Sequence, residues 1–466
     1  MAQLASLLIA VCALGAAVAY PNSVLSNSLL KTLNERGNAD VAIILKSDVS
    51  SIYDEIASSG LVFSVRGERM AAIRAALIEY TSQSQANIRS LLDGRNVAYK
   101  TFWITNRIIV SAADAELVKL LSSHPDVVQV REEIVIPLEP LTRSEAVIDE
   151  EVKQNNPVRG VWIVKGHELW AENITGEGIV TSNIDTGVRG THMILRDNFL
   201  GEYGWYDPSF RTSSPNDGNG HGTHTMGTIA GREGFGMAPD SRWMACKGCA
   251  TSSCAESDLL GCGQFIACPT LTDGTGANCT KAPHVVGNSW GSSLGGQDWY
   301  DDVITGWHSA GVIPVFSAGN AGSSCGSVGS PGDRQGVIGV AATDMSDVIA
   351  SFSSRGPATG NGGHKPEMSA PGVDVLSSMN AADDHFDRLS GTSMASPHVT
   401  GGVALLIQKN PLLQGDYDAV RTALFEGAET TTLTGSSQTC GGLNDDTFPN
   451  HVFGYGRLDV VASSKK

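Results

Sequence analysis

The sequence is poor in positive charge and has no long apolar run beyond its first 19 residues. It contains 32 lysine and arginine residues against 49 acidic ones, so its formal net charge is −17. A balance of this sign argues against a nucleic acid as the partner, because nucleic-acid binding depends on basic surfaces. No later segment is apolar enough to span a bilayer, so we expect a soluble mature protein that does not enter a membrane.

The first 19 residues lack lysine and arginine but are rich in leucine, alanine and valine. They end in Ala17-Val18-Ala19, a small-x-small pattern that is typical of a signal-peptidase site, and the run is too short to span a bilayer. We therefore predict a secretory signal peptide over residues 1–19 and an extracellular protein. An N-terminal anchor is the alternative, because the basic residues that usually precede the apolar run are missing.

Cysteine is scarce outside one short segment. Removal of the signal peptide would take Cys12 with it and leave eight cysteines, an even number that in an exported protein predicts disulfide bonds. Six of them lie in a cysteine-rich segment, 246–281, for which a zinc cluster is the alternative, although no second Cys-x-x-Cys or histidine pair follows the first. The disulfide candidates are Cys246, Cys249, Cys254, Cys262, Cys268, Cys279, Cys325 and Cys440.

The length of 466 residues suggests two to three domains, and the first has its compact part at about 41–130. Its pattern predicts a small α+β domain in the ferredoxin-like order βαββαβ. Strands are predicted at 41–45, 97–103, 107–111 and 127–130, and helices at 70–91 and around 117–121. The stretch from about 136 to 159 is rich in proline and acidic residues and has no periodicity, so we predict an exposed linker, placed at 141–160.

Residues 161–466 form the second predicted domain, in which short, continuously apolar strands alternate with helices. Such strands are buried on both faces, so the pattern predicts an α/β fold with a doubly wound parallel sheet covered by helices. The 53 glycines have no fixed period and suit the many tight turns of such a fold. Strands are predicted at 178–184, 242–245, 285–287, 312–316, 336–341 and 373–376.

Three segments of this domain place a reactive side chain at the edge of a regular element. Ser393 begins a predicted helix that stops at Pro411, where free N–H groups and the helix dipole favour an oxyanion. His221 lies in a glycine-lined turn before another helix, and Asp185 ends a buried strand. Singly, these residues would be an N-cap serine, a loop or metal-binding histidine and a turn aspartate. Together they are the nucleophile, base and acid of nucleophilic acyl transfer.

The order of these residues along the chain, acid before histidine before serine, is the subtilisin order. From about residue 41 to 461 the chain resembles a secreted subtilisin-type serine protease of the peptidase S8 family. The resemblance rests on the motifs at 178–188, 219–228 and 389–399. The surroundings of Pro239, Lys247 and 288–291 resemble the bacillopeptidase F branch of that family.

The resemblance implies a monomeric serine endopeptidase that acts on protein or peptide substrates and needs no cofactor for catalysis. Asp185 would orient His221, His221 would activate Ser393, and the Asn320 side chain would donate to the oxyanion beside the Ser393 N–H. His224 is the competing histidine, which the resemblance assigns to the helix interior. A glycine in the specificity pocket implies a bulky apolar residue before the scissile bond. The implied substrate-binding residues are Ser289, Trp290, Gly291, Gly319 and Gly329.

The resemblance also implies that residues 20–140 are an inhibitory propeptide of the inhibitor I9 type. Such a propeptide assists folding, blocks the active site with its C-terminal end and is removed by self-processing. The candidates for the maturation cut are Leu138, Leu141 and Arg143.

The sequence departs from the family after His221, where the loop that carries the strong calcium site of many subtilisins is absent or very short. Calcium is therefore not expected at that site, and this departure says nothing about weaker sites for structural calcium. Asn173 and Asn278 are glycosylation acceptors if the source is eukaryotic. Three alternatives remain: a catalytically silent peptide-binding homologue, a carboxyl-peptidase of the sedolisin type, and an exopeptidase. The presence of His221 argues against the sedolisin type, in which a glutamate replaces the histidine.

Overall fold

The computed structural model describes residues 25–46, 49–58, 65–138, 142–144, 157–360 and 363–466. The predicted signal peptide and the candidate cleavage residue Leu141 lie outside these ranges. We call residues 25–132 the N-terminal unit and residues 157–466 the main domain. Between them lie two short strands, each of which pairs with the main domain.

The N-terminal unit is a four-stranded antiparallel sheet with helices, in the predicted βαββαβ order. Its elements are α1 (Asn27–Arg36), β1 (Asn38–Leu45), α2 (Ser50–Ser58), α3 (Arg66–Ser84), α4 (Ala86–Asp93), β2 (Tyr99–Phe102), β3 (Arg107–Asp114), α5 (Ala115–Ser122) and β4 (Val127–Glu132). The strand order across the sheet is β2-β3-β1-β4. This arrangement is ferredoxin-like.

Two details of this unit differ from the sequence prediction. The unit begins earlier, with α1, whose start is capped by a hydrogen bond from Leu29 N to Ser26 Oγ (3.2 Å). The single helix predicted over 70–91 is two helices, α3 and α4, which meet at Gln85. The buried Gln85 side chain donates to Asn106 Oδ1 (3.0 Å) in the turn between β2 and β3. This tertiary contact lies where the two helices meet, and the apolar spacing along the helix does not reveal it.

The main domain is built on a seven-stranded sheet in which every neighbouring pair is parallel, as its apolar strands predict. The elements that follow the N-terminal unit are β5 (Val135–Pro137), β6 (Thr142–Ser144), α6 (Arg159–Ile163), α7 (Gly166–Trp170), β7 (Val180–Asp185), β8 (Trp205–Tyr206), α8 (His221–Ala230), β9 (Arg242–Lys247), β10 (Ser253–Ala255), α9 (Glu256–Ala267), β11 (Val285–Asn288), α10 (Asp301–Ser309), β12 (Ile313–Ser317), β13 (Ile338–Thr343), β14 (Met368–Pro371), β15 (Val375–Ser378), β16 (Phe386–Ser390), α11 (Thr392–Lys409), α12 (Tyr417–Glu426), β17 (Thr439–Cys440), β18 (Leu443–Asn444) and α13 (Val460–Ser463). The strand order is β14-β13-β12-β11-β7-β9-β8.

Helices cover both faces of this sheet. Successive strand residues point to opposite faces, so neighbouring residues pack against different helices. Val285 packs into the core that contains α8 and α11, whereas its neighbour Val286 packs into the core that contains α9 and α10. Helix α11 is central, and each of its residues from Met394 to Ile407 is buried. The N-terminal unit joins the second core, since Ala42 and Ile109 of its sheet pack with residues of α9 and α10.

The strand predicted at 373–376 does not belong to the parallel sheet. It is β15, which pairs antiparallel with β16, and β16 pairs antiparallel with β6. The last parallel strand is instead β14, which pairs with β13. The sequence prediction missed β14 because its four residues, Met-Ser-Ala-Pro, form no apolar run.

Part of the predicted exposed linker is held against the main domain. Strand β5 runs antiparallel to β10, and Ile136 at its centre is buried. Strand β6 runs antiparallel to β16. The predicted exposure therefore fails at Ile136, whereas the three residues of β6 are exposed as predicted. Neither strand was predicted, because three residues are too few to show a strand pattern without their partner strands.

All eight candidate cysteines are paired in four disulfides, so their sulfurs are not available for the alternative zinc cluster. Across the described ranges, no group of three or more His, Cys, Asp or Glu side chains is placed to hold a metal ion. Nor does any helix in this part of the chain have the length and apolarity needed to cross a membrane. The four disulfides are Cys246–Cys262, Cys249–Cys254, Cys268–Cys279 and Cys325–Cys440.

Candidate active site

A strand end and a helix start bring the predicted acid and base together. Asp185 is the last residue of β7, and His221 is the first residue of α8. His221 Nδ1 lies 2.7 Å from Asp185 Oδ1, and both side chains are buried. Asp185 Oδ1 also accepts from Thr186 N (2.7 Å) and its Oδ2 from Thr225 Oγ1 (3.2 Å), so the carboxylate is held from two sides. The turn before His221 needs Gly220, whose φ of 105° favours glycine.

The electrostatics of this pair raise the pKa of His221 above the ordinary imidazole value. Burial alone would lower this pKa, but the charge and hydrogen bond of Asp185 and the charge of Asp217 outweigh it. Burial also raises the pKa of Asp217, although Asp217 accepts hydrogen bonds from Thr223 Oγ1 (2.6 Å) and Gly220 N (2.9 Å). Asp217 was not among the predicted site residues, because its only signal was an aspartate in the glycine-rich turn before His221.

Ser393 is the second residue of α11, and its backbone is held by Ser289. Pro397 stands four residues later and has no N–H, so it cannot donate to the Ser393 carbonyl as a helix residue normally would. Ser289 Oγ donates to this carbonyl instead (3.0 Å). Ser393 Oγ donates to Ser289 O (3.1 Å) and lines the same cleft as His221. A hydrogen bond between nucleophile and base often tightens only when substrate binds.

Asn320 lies just beyond the end of β12 and lines the cleft beside Ser393. Its Oδ1 accepts two hydrogen bonds from Thr392, one from the backbone N (2.9 Å) and one from Oγ1 (2.8 Å). Because Thr392 binds the carbonyl oxygen of this amide, the Nδ2 donor points away from Thr392. Nδ2 and the Ser393 N–H are two donors of the kind that stabilise an oxyanion. Thr392 is a supporting residue that sequence reasoning did not single out.

The predicted substrate-binding residues converge on this cleft, although not all through their side chains. The Trp290 ring is 2% exposed and packs edge-on against Tyr300 and Phe316, so it belongs to the core. A Cβ at Gly329 would lie 1.8 Å from Ser292 O, so glycine is needed there for a close backbone approach. The residues that line the cleft with His221, Asn320 and Ser393 include Ser289, Trp290, Gly291, Gly319 and Gly329.

The chain itself lies along one side of this cleft. Strand β5 pairs with β10, Leu138 N donates to Ser252 O (2.8 Å), and Leu138 lines the cleft together with Ser393. On the other side of the undescribed residues 139–141, Thr142 of β6 pairs with Ser390, three residues before Ser393. The edge of β10 thus pairs with an extended segment of this chain. The sequence predicted pairing with an extended peptide only at 289–291.

The other predicted residues lie away from this chemistry. His224 is fully buried, its Nε2 lies 3.0 Å from Val375 O, and burial lowers its pKa to about 3. The geometry therefore favours His221 as the base. Asn173 is exposed, and the partly buried Asn278 accepts a hydrogen bond from Thr280 N (3.1 Å). Glycosylation of Asn173 and Asn278, and calcium binding, stay predictions.

Comparison with known proteins finds similar proteins over much of this chain. The model of the subtilase family, peptidase S8, matches residues 176–456. Bacillopeptidase F of Bacillus subtilis (strain 168) is 30% identical over 426 residues, which is 84% of this chain and 28% of that protein. Subtilisin DY of Bacillus licheniformis is 31% identical over 313 residues, which is 66% of this chain and 98% of that protein. An alkaline protease of Alkalihalobacillus alcalophilus is 34% identical over 258 residues, which is 54% of this chain and 60% of that protein.

The chain therefore belongs to the subtilase family. Family membership and the names of these relatives support a serine-type endopeptidase with an α/β subtilisin-like fold. The predicted likeness to bacillopeptidase F is confirmed, although this chain spans only 28% of the length of that relative.

Proposed function

We propose that this protein is a serine endopeptidase that hydrolyses protein or peptide substrates through a triad of Asp185, His221 and Ser393. The observation that carries this proposal is the 2.7 Å contact between Asp185 and His221 at the cleft that Ser393 lines. Asp185 holds the His221 ring so that Nε2 is free to act as the base.

The reaction follows from these positions. His221 takes the proton from Ser393 Oγ as that oxygen attacks the peptide carbonyl carbon, and it then gives the proton to the leaving amine. Asn320 Nδ2 and the Ser393 N–H stabilise the negative carbonyl oxygen of the tetrahedral intermediate. Water then hydrolyses the acyl-enzyme ester by the same route. The cleft wall around Gly329 favours a bulky apolar residue before the scissile bond.

The second part of the proposal is that the protein is a secreted zymogen, in which the N-terminal unit and β5 form an inhibitory propeptide. This part is supported by Leu138, which lines the cleft, and by the pairing of β5 with β10 and of β6 with β16. Leu138 lines the cleft, and Thr142 pairs with Ser390. We place the maturation cut between these two residues, because Ser390, the partner of Thr142, is only three residues from Ser393.

The test is a time course of the purified full-length protein beside Ser393→Ala, followed by intact mass and casein hydrolysis. We expect the wild type to lose about 140 residues and gain activity, while the variant stays full length and inactive. A serine-directed organofluoride should block the wild type. If the variant matures equally well, self-processing is wrong. A wild type that neither matures nor cleaves casein would favour the silent peptide-binding homologue.

A further inference from the structure

Glu256 carries a buried carboxylate for which the proposed reaction has no use. It is the first residue of α9, directly after strand β10, and it is 0% exposed. Arg131 binds it with two hydrogen bonds of 2.7 Å, one to each carboxylate oxygen, and Arg107 binds Oε1 at 3.1 Å. Both arginines belong to the N-terminal unit, on β4 and β3.

The backbone of Glu256 lies in line with the peptide-binding edge. Glu256 N donates to Ile134 O (2.8 Å), and Ile134 N donates to Glu256 Oε2 (3.1 Å). This pairing extends the ladder in which Ala255 pairs with Val135. Glu256 therefore stands opposite the residue four positions before Leu138, which lines the cleft. Residues directly opposite on antiparallel strands have neighbouring side chains, so their charges interact.

Loss of the N-terminal unit would remove both guanidinium groups from Glu256. The carboxylate would remain one residue beyond β10, the strand that pairs with the extended segment β5. A carboxylate of this kind favours a new cationic partner, and arginine is the better one because its planar fork can bind both oxygens.

We infer that Glu256 is a specificity-determining residue. Its carboxylate binds the side chain of an arginine or lysine at the substrate position that stands opposite it. This substrate residue would occupy the place that Ile134 has in the precursor. It lies four residues before the substrate residue that aligns with Leu138. In the precursor the N-terminal unit fills this site with its own arginines. The inference rests on the proposed function, because it assigns a subsite to that same cleft.

The experiment uses full-length protein that has been incubated until its activity is constant, and three fluorogenic peptides. The peptides share Val-Ile-Pro-Leu at the positions aligned with 135–138 and carry arginine, glutamine or glutamate at the position aligned with Ile134. We expect kcat/KM of the wild type to be about tenfold higher for the arginine peptide than for the glutamine peptide, and lowest for the glutamate peptide. Glu256→Gln should hydrolyse all three with similar kcat/KM.

The matched control is Glu177→Gln. Glu177 is exposed and lies before the start of β7, at the opposite end of that strand from Asp185. It should keep the wild-type preference. A salt series on the wild type needs no variant, so it answers the question even if Glu256→Gln does not fold. The preference for the arginine peptide should shrink between 50 mM and 1 M salt, because salt screens an ion pair that solvent reaches.

The outcomes separate this inference from the proposed function. Equal rates on the three peptides, or a preference that Glu256→Gln retains, would overturn the role of Glu256 and leave the peptidase in place. A preference that is unchanged at 1 M salt would overturn it as well. If the wild type hydrolyses none of the peptides and no casein, the proposed function fails, and the inference fails with it.

Discussion

The sharpest prediction concerns Asn320. Its Oδ1 is held by two hydrogen bonds from Thr392, of 2.9 and 2.8 Å, so its Nδ2 is oriented before any substrate arrives. Such preorganised donors act on charge that develops only in the transition state. Asn320→Ala should therefore lower kcat by about 10² to 10³, or about 3 to 4 kcal/mol, the size measured for one such donor in a subtilisin. KM should change little, because the ground-state carbonyl does not depend on this donor.

Thr392→Val tests the orientation apart from the donor. It removes the bond from Oγ1 but leaves the bond from the Thr392 N–H, so we expect a loss of about 1 kcal/mol, or about fivefold in kcat. The assay is steady-state hydrolysis of one fluorogenic peptide by wild type, both variants and the exposed control Asn444→Ala. If Asn320→Ala keeps the wild-type kcat, the assignment of Asn320 to the oxyanion is refuted. A drop in the Asn444→Ala control would mean that the assay reports folding rather than catalysis.

Three further outcomes follow from the geometry. Asp217→Asn removes a negative charge that raises the pKa of His221, so the acid limb of kcat/KM should move to lower pH; an unchanged limb contradicts this electrostatic account. Replacing Cys325 and Cys440 together by alanine opens a loop with a sequence separation of 115, which should cost about 5 kcal/mol of unfolding free energy in a denaturant titration; an unchanged midpoint would be the contrary result. Gly329→Ala places a Cβ 1.8 Å from a carbonyl oxygen, so kcat/KM for peptides with a bulky residue before the scissile bond should fall, and equal rates would show that the wall can shift.

Much of this protein could be predicted from local patterns in the chain. Continuous apolar strands that alternate with helices indicated a parallel sheet, because only a sheet covered on both faces buries such strands fully. The positions of Asp185, His221 and Ser393 at element edges followed from turn residues and helix starts beside them. These signals extend over about ten residues, so neighbouring side chains along the chain are enough to produce them.

Other features depend on residues that are distant in the sequence and had no local signal. Gln85, where α3 meets α4, donates a hydrogen bond to Asn106. Ser289 holds Ser393 because Pro397 leaves a carbonyl unpaired more than 100 residues away from Ser289. Strand β5 has only three residues, and its pairing with β10 forms a ladder that neither segment shows alone.

Glu256 combines a feature that the local sequence predicts with contacts that only the tertiary structure shows. In the sequence it is an ordinary glutamate at the start of a helix, where a negative charge suits the helix dipole. Only the packing of the N-terminal unit against the main domain places Arg131 and Arg107 on its carboxylate and Ile134 opposite its backbone. The sequence alone therefore determined the class of chemistry, through residue types and their order. The tertiary structure decided which side chains orient that chemistry, because their hydrogen bonds and ion pairs join segments that only folding brings together.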